Sequence, residues 1–214
     1  MRIALSIAAI SVCACAAAET TPASRQDPQV VRACLTGSGQ INFIVGQAEK
    51  IANEIFVGAG VQVVWRFQPS RCKPVDAGEM HIEVTADTPG TRYPKALGYT
   101  LLTGDPHTEI FYDRIVRAVD PIDVPKLLGH VLAHEITHVL EGVARHSSTG
   151  LMKESWNERD FRDLKWKPLP LAPEDLELLA RGLQMRQERL AKNETALARA
   201  AGMRRSPRRL NGIR

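Results

Sequence analysis

The stretch DVPKLLGHVLAHEITHVLE, residues 123–141, carries the period of a helix that is apolar along one side. Asp123 is a residue type that caps helices, and Pro125 suits the first turn, where its missing N–H would have no partner anyway. Placed at about 100° per residue, Leu128, Val131, Leu132, Ile136, Val139 and Leu140 cover one side. His130, His134 and His138 line the adjacent side at four-residue intervals, and Glu135 stands between them and the apolar stripe.

Within that helix, His134-Glu135-Ile136-Thr137-His138 is the H-E-x-x-H pattern. Side chains four apart on a helix point the same way, so two imidazoles can grip one cation at about 2.0 to 2.1 Å. Zinc is the expected ion. Glu135, beside the pair, is the expected general base acting on a water molecule. A catalytic zinc needs a third protein ligand and an open position, so the text after the helix decides the reading.

That text is VLEGVARHSSTGLM, residues 139–152. Residues 130–156 resemble the metzincin clan of zinc peptidases, in which a glycine turns the chain, a third histidine completes the site and a methionine turn lies beneath the metal. By that resemblance Gly142 turns the chain, His146 is the third ligand and Met152 belongs to the turn. The glycine and the third histidine follow His138 by four and eight residues; the usual pattern places them at three and six. The turn must therefore be looped differently. The resemblance implies an α+β, zincin-like fold: a small mixed β-sheet packed on helices, the metal helix among them, with a further helix at the C-terminus. It also implies zinc-dependent hydrolysis of peptides, with a peptide or protein as partner. Glu158, twenty residues after His138, resembles instead the glutamate ligand of thermolysin-like zincins, and Glu154 and Glu141 are further candidates. His130 reads either as a support for a neighbouring imidazole or as a solvent-facing residue.

Working outward, Val30 to Leu35 reads as a first strand. The apolar residues Ala48, Ile51, Ala52, Ile55 and Phe56 predict a helix over residues 47–57, stopped by Gly58-Ala59-Gly60. Val61, Val63, Trp65 and Phe67 alternate in a strand closed by Pro69, and residues 81–86 alternate likewise. Residues 97–103 and 109–116 read as two more strands around the turn Gly104-Asp105-Pro106. Either is a possible edge to which an extended substrate adds itself. Tyr99, His107 and Tyr112 are nominal donors to a tetrahedral oxyanion, though each reads first as structural, and Trp156 reads as packing. The prolines of residues 167–173 predict a strap or linker before a last helix whose stripe is Leu176, Leu179, Ala180, Leu183 and Leu190, stopped near Gly202.

The ends are of a different character. Arg2, an apolar run to Val12 and Ala16-Ala17-Ala18 predict a signal peptide over residues 1–18 and export to the periplasm or beyond. Lipid anchoring through Cys13 or Cys15 is the rival reading. Residues 19–29 suit a flexible leader, 30–170 a catalytic domain, 171–202 a C-terminal helix and 203–214 a basic tail. No later segment is apolar enough to span a membrane. After the signal only Cys34 and Cys72 remain, and an oxidising compartment predicts that they pair rather than stay separate thiols or cap the zinc. The net charge of +4 is carried by Arg204, Arg205, Arg208, Arg209 and Arg214, so the body is near neutral and a nucleic-acid partner is not expected. A rival function, a zincin-like domain that binds metal or a partner without catalysis, would need the ligands but not Glu135. Hydrolysis of a non-peptide amide is the rival within enzymes.

Overall fold

The computed structural model describes residues 27–37, 41–68, 72, 78–88, 90–91, 93–103 and 106–204. The predicted signal peptide, the leader up to residue 26, Pro69, Gly104, Asp105 and residues 205–214 lie outside them. The order is β1 (Gln29–Thr36), α1 (Asn42–Val57), β2 (Val61–Gln68), β3 (Met80–Thr85), β4 (Gly98–Leu101), β5 (His107–Phe111), α2 (Tyr112–Ala118), α3 (Val124–Glu141), α4 (Glu158–Asp163) and α5 (Pro173–Arg204).

Period-two burial builds the sheet. Val61 and Val63 of β2 are buried while Gln62 and Val64 are exposed, and Met80, Ile82 and Val84 repeat the pattern on β3. The strands lie in the order β2-β1-β3-β5-β4, with β1 parallel to β2 and β3, β3 parallel to β5, and only β4 antiparallel. The sheet is mixed, as expected, and β4 is one of its two edges. The crossover from β1 to β2 is α1, whose Val45, Ala48, Ala52, Ile55 and Phe56 enter a core shared with α3. The helices cross closely because α3 presents Gly129, where a Cβ would meet the Ala48 carbonyl and the Ile51 side chain at 2.8 Å.

Three expectations need correction. Helix α1 begins five residues earlier than residue 47, because Phe43-Ile44-Val45 reads locally as strand while Val45 continues the helical stripe. Residues 109–116 are not one strand: β5 ends at Phe111, and Tyr112 opens a helix that buries Ile115. The apparent alternation hid a change of period from two to 3.6 at Phe111. Helix α4 was not anticipated; Asn157 accepts from the backbone of Arg159 and Asp160 while the Asp160 carboxylate reaches back to the Asn157 N–H, a complete capping box on a helix too short for an apolar period.

Cys34 and Cys72 are joined in a disulfide. The first half of α5 is part of the packed body, with Asp175, Leu179 and Leu183 buried against α3, whereas residues 191–200 are exposed throughout. No helix among the described residues is long and apolar enough to cross a membrane.

Candidate metal centre

The last turns of α3 carry His134, Glu135 and His138, all buried. The helix ends at Gly142, which takes the left-handed conformation with φ of 71° and donates its N–H to the His138 carbonyl. A side chain there would be strained, so the glycine lets the chain leave sharply and double back. The returning loop is held from both sides. Ser147 N–H donates to the Met152 carbonyl and Leu151 N–H to the Pro170 carbonyl. Arg145 bonds Asp175 Oδ1 at 2.7 Å, and the Ser147 hydroxyl donates to the same oxygen.

This folding-back brings His146 to the helix. One ligand atom from each of His134, His138 and His146 lies within 4.8 Å of the others, the only such cluster among the described residues. The Nε2 atoms of His134 and His138 are 3.2 Å apart, close to the roughly 3.3 Å that two nitrogens span on a tetrahedral ion with Zn–N near 2.05 Å. Their other nitrogens are occupied: His134 Nδ1 meets the Leu151 carbonyl at 2.9 Å and His138 Nδ1 the Val143 carbonyl at 3.2 Å. With Nδ1–H donating to a carbonyl, each Nε2 is left as a bare acceptor facing another acceptor. A cation resolves that opposition, so the residues fit a metal.

Electrostatics point the same way. Burial, followed by the neighbouring His138, holds His134 down to about 3, and burial holds His138 down to about 4, so both imidazoles are neutral at physiological pH, the form that ligates. Burial also pushes the Glu135 carboxyl up to about 7 against the pull of a hydrogen bond from Thr100 Oγ1 to Oε2, 2.7 Å long. Glu141 is likewise raised to about 7, by burial and then by Asp175, and among the described residues neither of its buried oxygens has a hydrogen-bond partner.

The other candidates fall elsewhere. Glu158 opens α4 with its side chain 97% exposed, and neither it nor Glu154 or Glu141 joins the cluster. Met152 is buried in the turn after His146. Its neighbour Leu151 supplies the carbonyl that orients His134 and also accepts from the Trp156 indole at 3.1 Å. His130 is buried rather than solvent-facing; its Nδ1 meets the Lys126 carbonyl, and its Nε2 accepts from Leu169 N–H, tying the proline strap to α3.

The histidines and Glu135 line a cleft of about 970 Å³, walled by residues 93–100 on one side and by Lys153, Trp156 and Phe161 on the other. Tyr99 lines it, but Tyr112 and His107 do not. Tyr93, which sequence reasoning passed over, does: its backbone holds φ of 44°, its ring lies 4.5 Å from that of Tyr99, and Arg114 donates to its carbonyl. A positive φ at a tyrosine leaves no trace in a single sequence, nor do the Leu151 and Val143 carbonyls.

No family model matches this sequence, and no curated protein does. Solved structures do match. Archaemetzincin from Methanopyrus kandleri superposes with a TM-score of 0.54 at 14% identity, covering 76% of this chain and 99% of that one. A zinc-dependent peptidase from Methanocorpusculum labreanum superposes with a TM-score of 0.50 at 13% identity, covering 69% and 99% respectively. The fold is therefore zincin-like.

Proposed function

We propose that this chain is an exported zinc-dependent peptidase in which His134, His138 and His146 hold the metal and Glu135 is the general base. The observation that carries the reading is the pair of opposed Nε2 acceptors, with Nδ1 of each ring committed to a carbonyl and His146 brought within reach across the cleft. The zinc-dependent peptidase of the same fold supports it by analogy.

A zinc ion bound there would supply Lewis acidity, drawing electron density from a scissile carbonyl and acidifying water. Glu135 holds one oxygen, Oε2, against Thr100, and among the described residues the other, Oε1, has no hydrogen-bond partner. That oxygen accepts a proton as water attacks, and the protonated carboxyl passes it to the leaving amine. The raised Glu135 suits both halves of that exchange. Strand β4 is an edge of the sheet and lines the cleft, the place where an extended peptide would add itself. Met152 supports the site through the turn it occupies. The disulfide supports an oxidising, extracytoplasmic location.

The test is elemental analysis of the purified chain, with His146→Ala and Glu158→Ala beside it. One zinc per chain, lost with His146 and kept without Glu158, is expected. Glu135→Gln should keep zinc and lose peptide cleavage by about 100-fold or more. Zinc retained with cleavage of every peptide unchanged in that variant would refute the mechanism, and zinc binding without cleavage by the parent chain would favour a non-catalytic binding domain.

A further inference from the structure

We infer that Thr100, on the edge strand β4, is a positioning residue for Glu135, steering its free oxygen toward the reacting centre; this rests on the peptidase reading above. The hydroxyl of Thr100 lies 2.7 Å from Glu135 Oε2 and 3.3 Å from the Glu135 carbonyl oxygen. An ionised carboxylate only accepts, so Thr100 is the donor in the shorter contact.

The donor is itself held. Thr108 stands opposite Thr100 in the antiparallel register of β4 and β5, and the two hydroxyl oxygens are 3.1 Å apart. With the Thr100 proton committed to Glu135, the bond between the threonines runs from Thr108 to Thr100, a two-step chain ending on the carboxylate. Thr108 is buried and cannot exchange this partner for water. Two residues before Thr100 on the same face of the strand is Gly98, where a Cβ would sit 3.2 Å from Glu135 Cγ and 3.0 Å from the Ile110 side chain. The strand thus makes room for the Glu135 stem at Gly98 and fixes its head at Thr100. Glu135 cannot rotate freely, and among the described residues Oε1 has no hydrogen-bond partner. The edge strand that lines the cleft also sets the angle of the base, which couples peptide docking along β4 to the alignment of Glu135.

The experiment uses the zinc-loaded full chain and its Thr100→Val and Thr100→Ser variants. Three readouts are taken: zinc content, the split between kcat and KM on a peptide, and calorimetric affinity for two zinc ligands. Acetohydroxamate shares a proton with a carboxylate beside the metal, whereas azide has none to share. Thr100→Val is expected to keep zinc, to lower kcat about ten- to hundred-fold with KM nearly unchanged, and to weaken acetohydroxamate about tenfold without weakening azide. Thr100→Ser, which keeps the hydroxyl, should restore most of both losses. Equal loss of azide and acetohydroxamate affinity, unaltered acetohydroxamate affinity in Thr100→Val, or a serine variant as impaired as the valine would overturn the inference. If the parent chain cleaves no peptide, the peptidase reading fails on its own, and the two affinities still decide the role of Thr100.

Discussion

Asp123 is buried at the start of α3. It precedes α3 where a cap belongs, yet its side chain makes no capping hydrogen bond. Its oxygens instead bind Lys126 at 3.0 Å and Lys165 at 2.9 Å, joining the start of the metal helix to the segment after α4. The second lysine is 42 residues away in sequence and therefore invisible to a local reading. The hydrogen bond from Lys165, aided by Lys126, holds the Asp123 carboxyl below its ordinary range despite burial. A carboxyl whose folded pKa lies below its unfolded value of about 3.9 contributes stability above that value and loses it as pH falls through the folded pKa. Asp123→Asn should therefore be less stable than the parent at pH 7. The two urea midpoints should converge as the pH drops below about 4. A gap that stays constant from pH 7 to pH 3 would mean that the aspartate acts through its shape and not its charge. His134, Glu135 and His138 were legible because helical geometry fixes what lies four residues apart. His146 was legible only through resemblance, since its approach depends on a loop path that spacing does not determine.

The loop that delivers His146 is governed by an element distant in sequence, the first turn of α5. Asp175 is fully buried and takes hydrogen bonds from Arg145, Ser147 and the Ala172 backbone N–H. Both side-chain donors flank His146, so the carboxylate acts as a post to which the His146 loop is tied. Asp175→Asn keeps the volume but replaces one acceptor oxygen by a donor, so it cannot serve all three partners. Zinc affinity is expected to fall about 10- to 100-fold, the range seen when groups supporting a metal ligand are lost, and competition with a chromophoric chelator would measure it. The far-ultraviolet circular dichroism should be unchanged. Unaltered affinity would show that the loop holds its course through the Ser147 and Leu151 backbone bonds alone. At this scale the strands of strict alternation and the long helices were readable, because each buries a periodic face. The short elements were not: α2 begins inside an apolar run that imitates a strand, and α4 is specified by its cap and not by any stripe. The C-terminal helix was visible as a helix, but nothing in its own sequence announced that its first turn reaches the candidate site.

Across the whole molecule, the two faces of the sheet divide the labour. Val31, Ala33 and Leu35 of β1 enter the core with α1 and α3, so period-two alternation turns Cys34 to the opposite face, away from the metal helix. There it meets Cys72, which comes from the connection between β2 and β3. The pairing was foreseeable from the count of cysteines left after the predicted signal peptide, whereas the sheet order β2-β1-β3-β5-β4 was not, because period and burial do not reveal which strands are neighbours. The disulfide spans 38 residues. Closing a loop of that size is worth about 4 kcal/mol in the chain-entropy description, a large share of the 5 to 15 kcal/mol that typically holds a domain folded. Replacing Cys34 and Cys72 together by alanine should therefore lower the unfolding free energy by roughly that amount, read from urea denaturation of the zinc-loaded protein. Zinc content should remain at one per folded chain, because none of the three histidines or their carbonyl partners lies on the bonded face. Loss of zinc from a variant that is still folded would instead show that the rear face of the sheet sets the geometry of the site, and that stability and chemistry are not divided between the two faces.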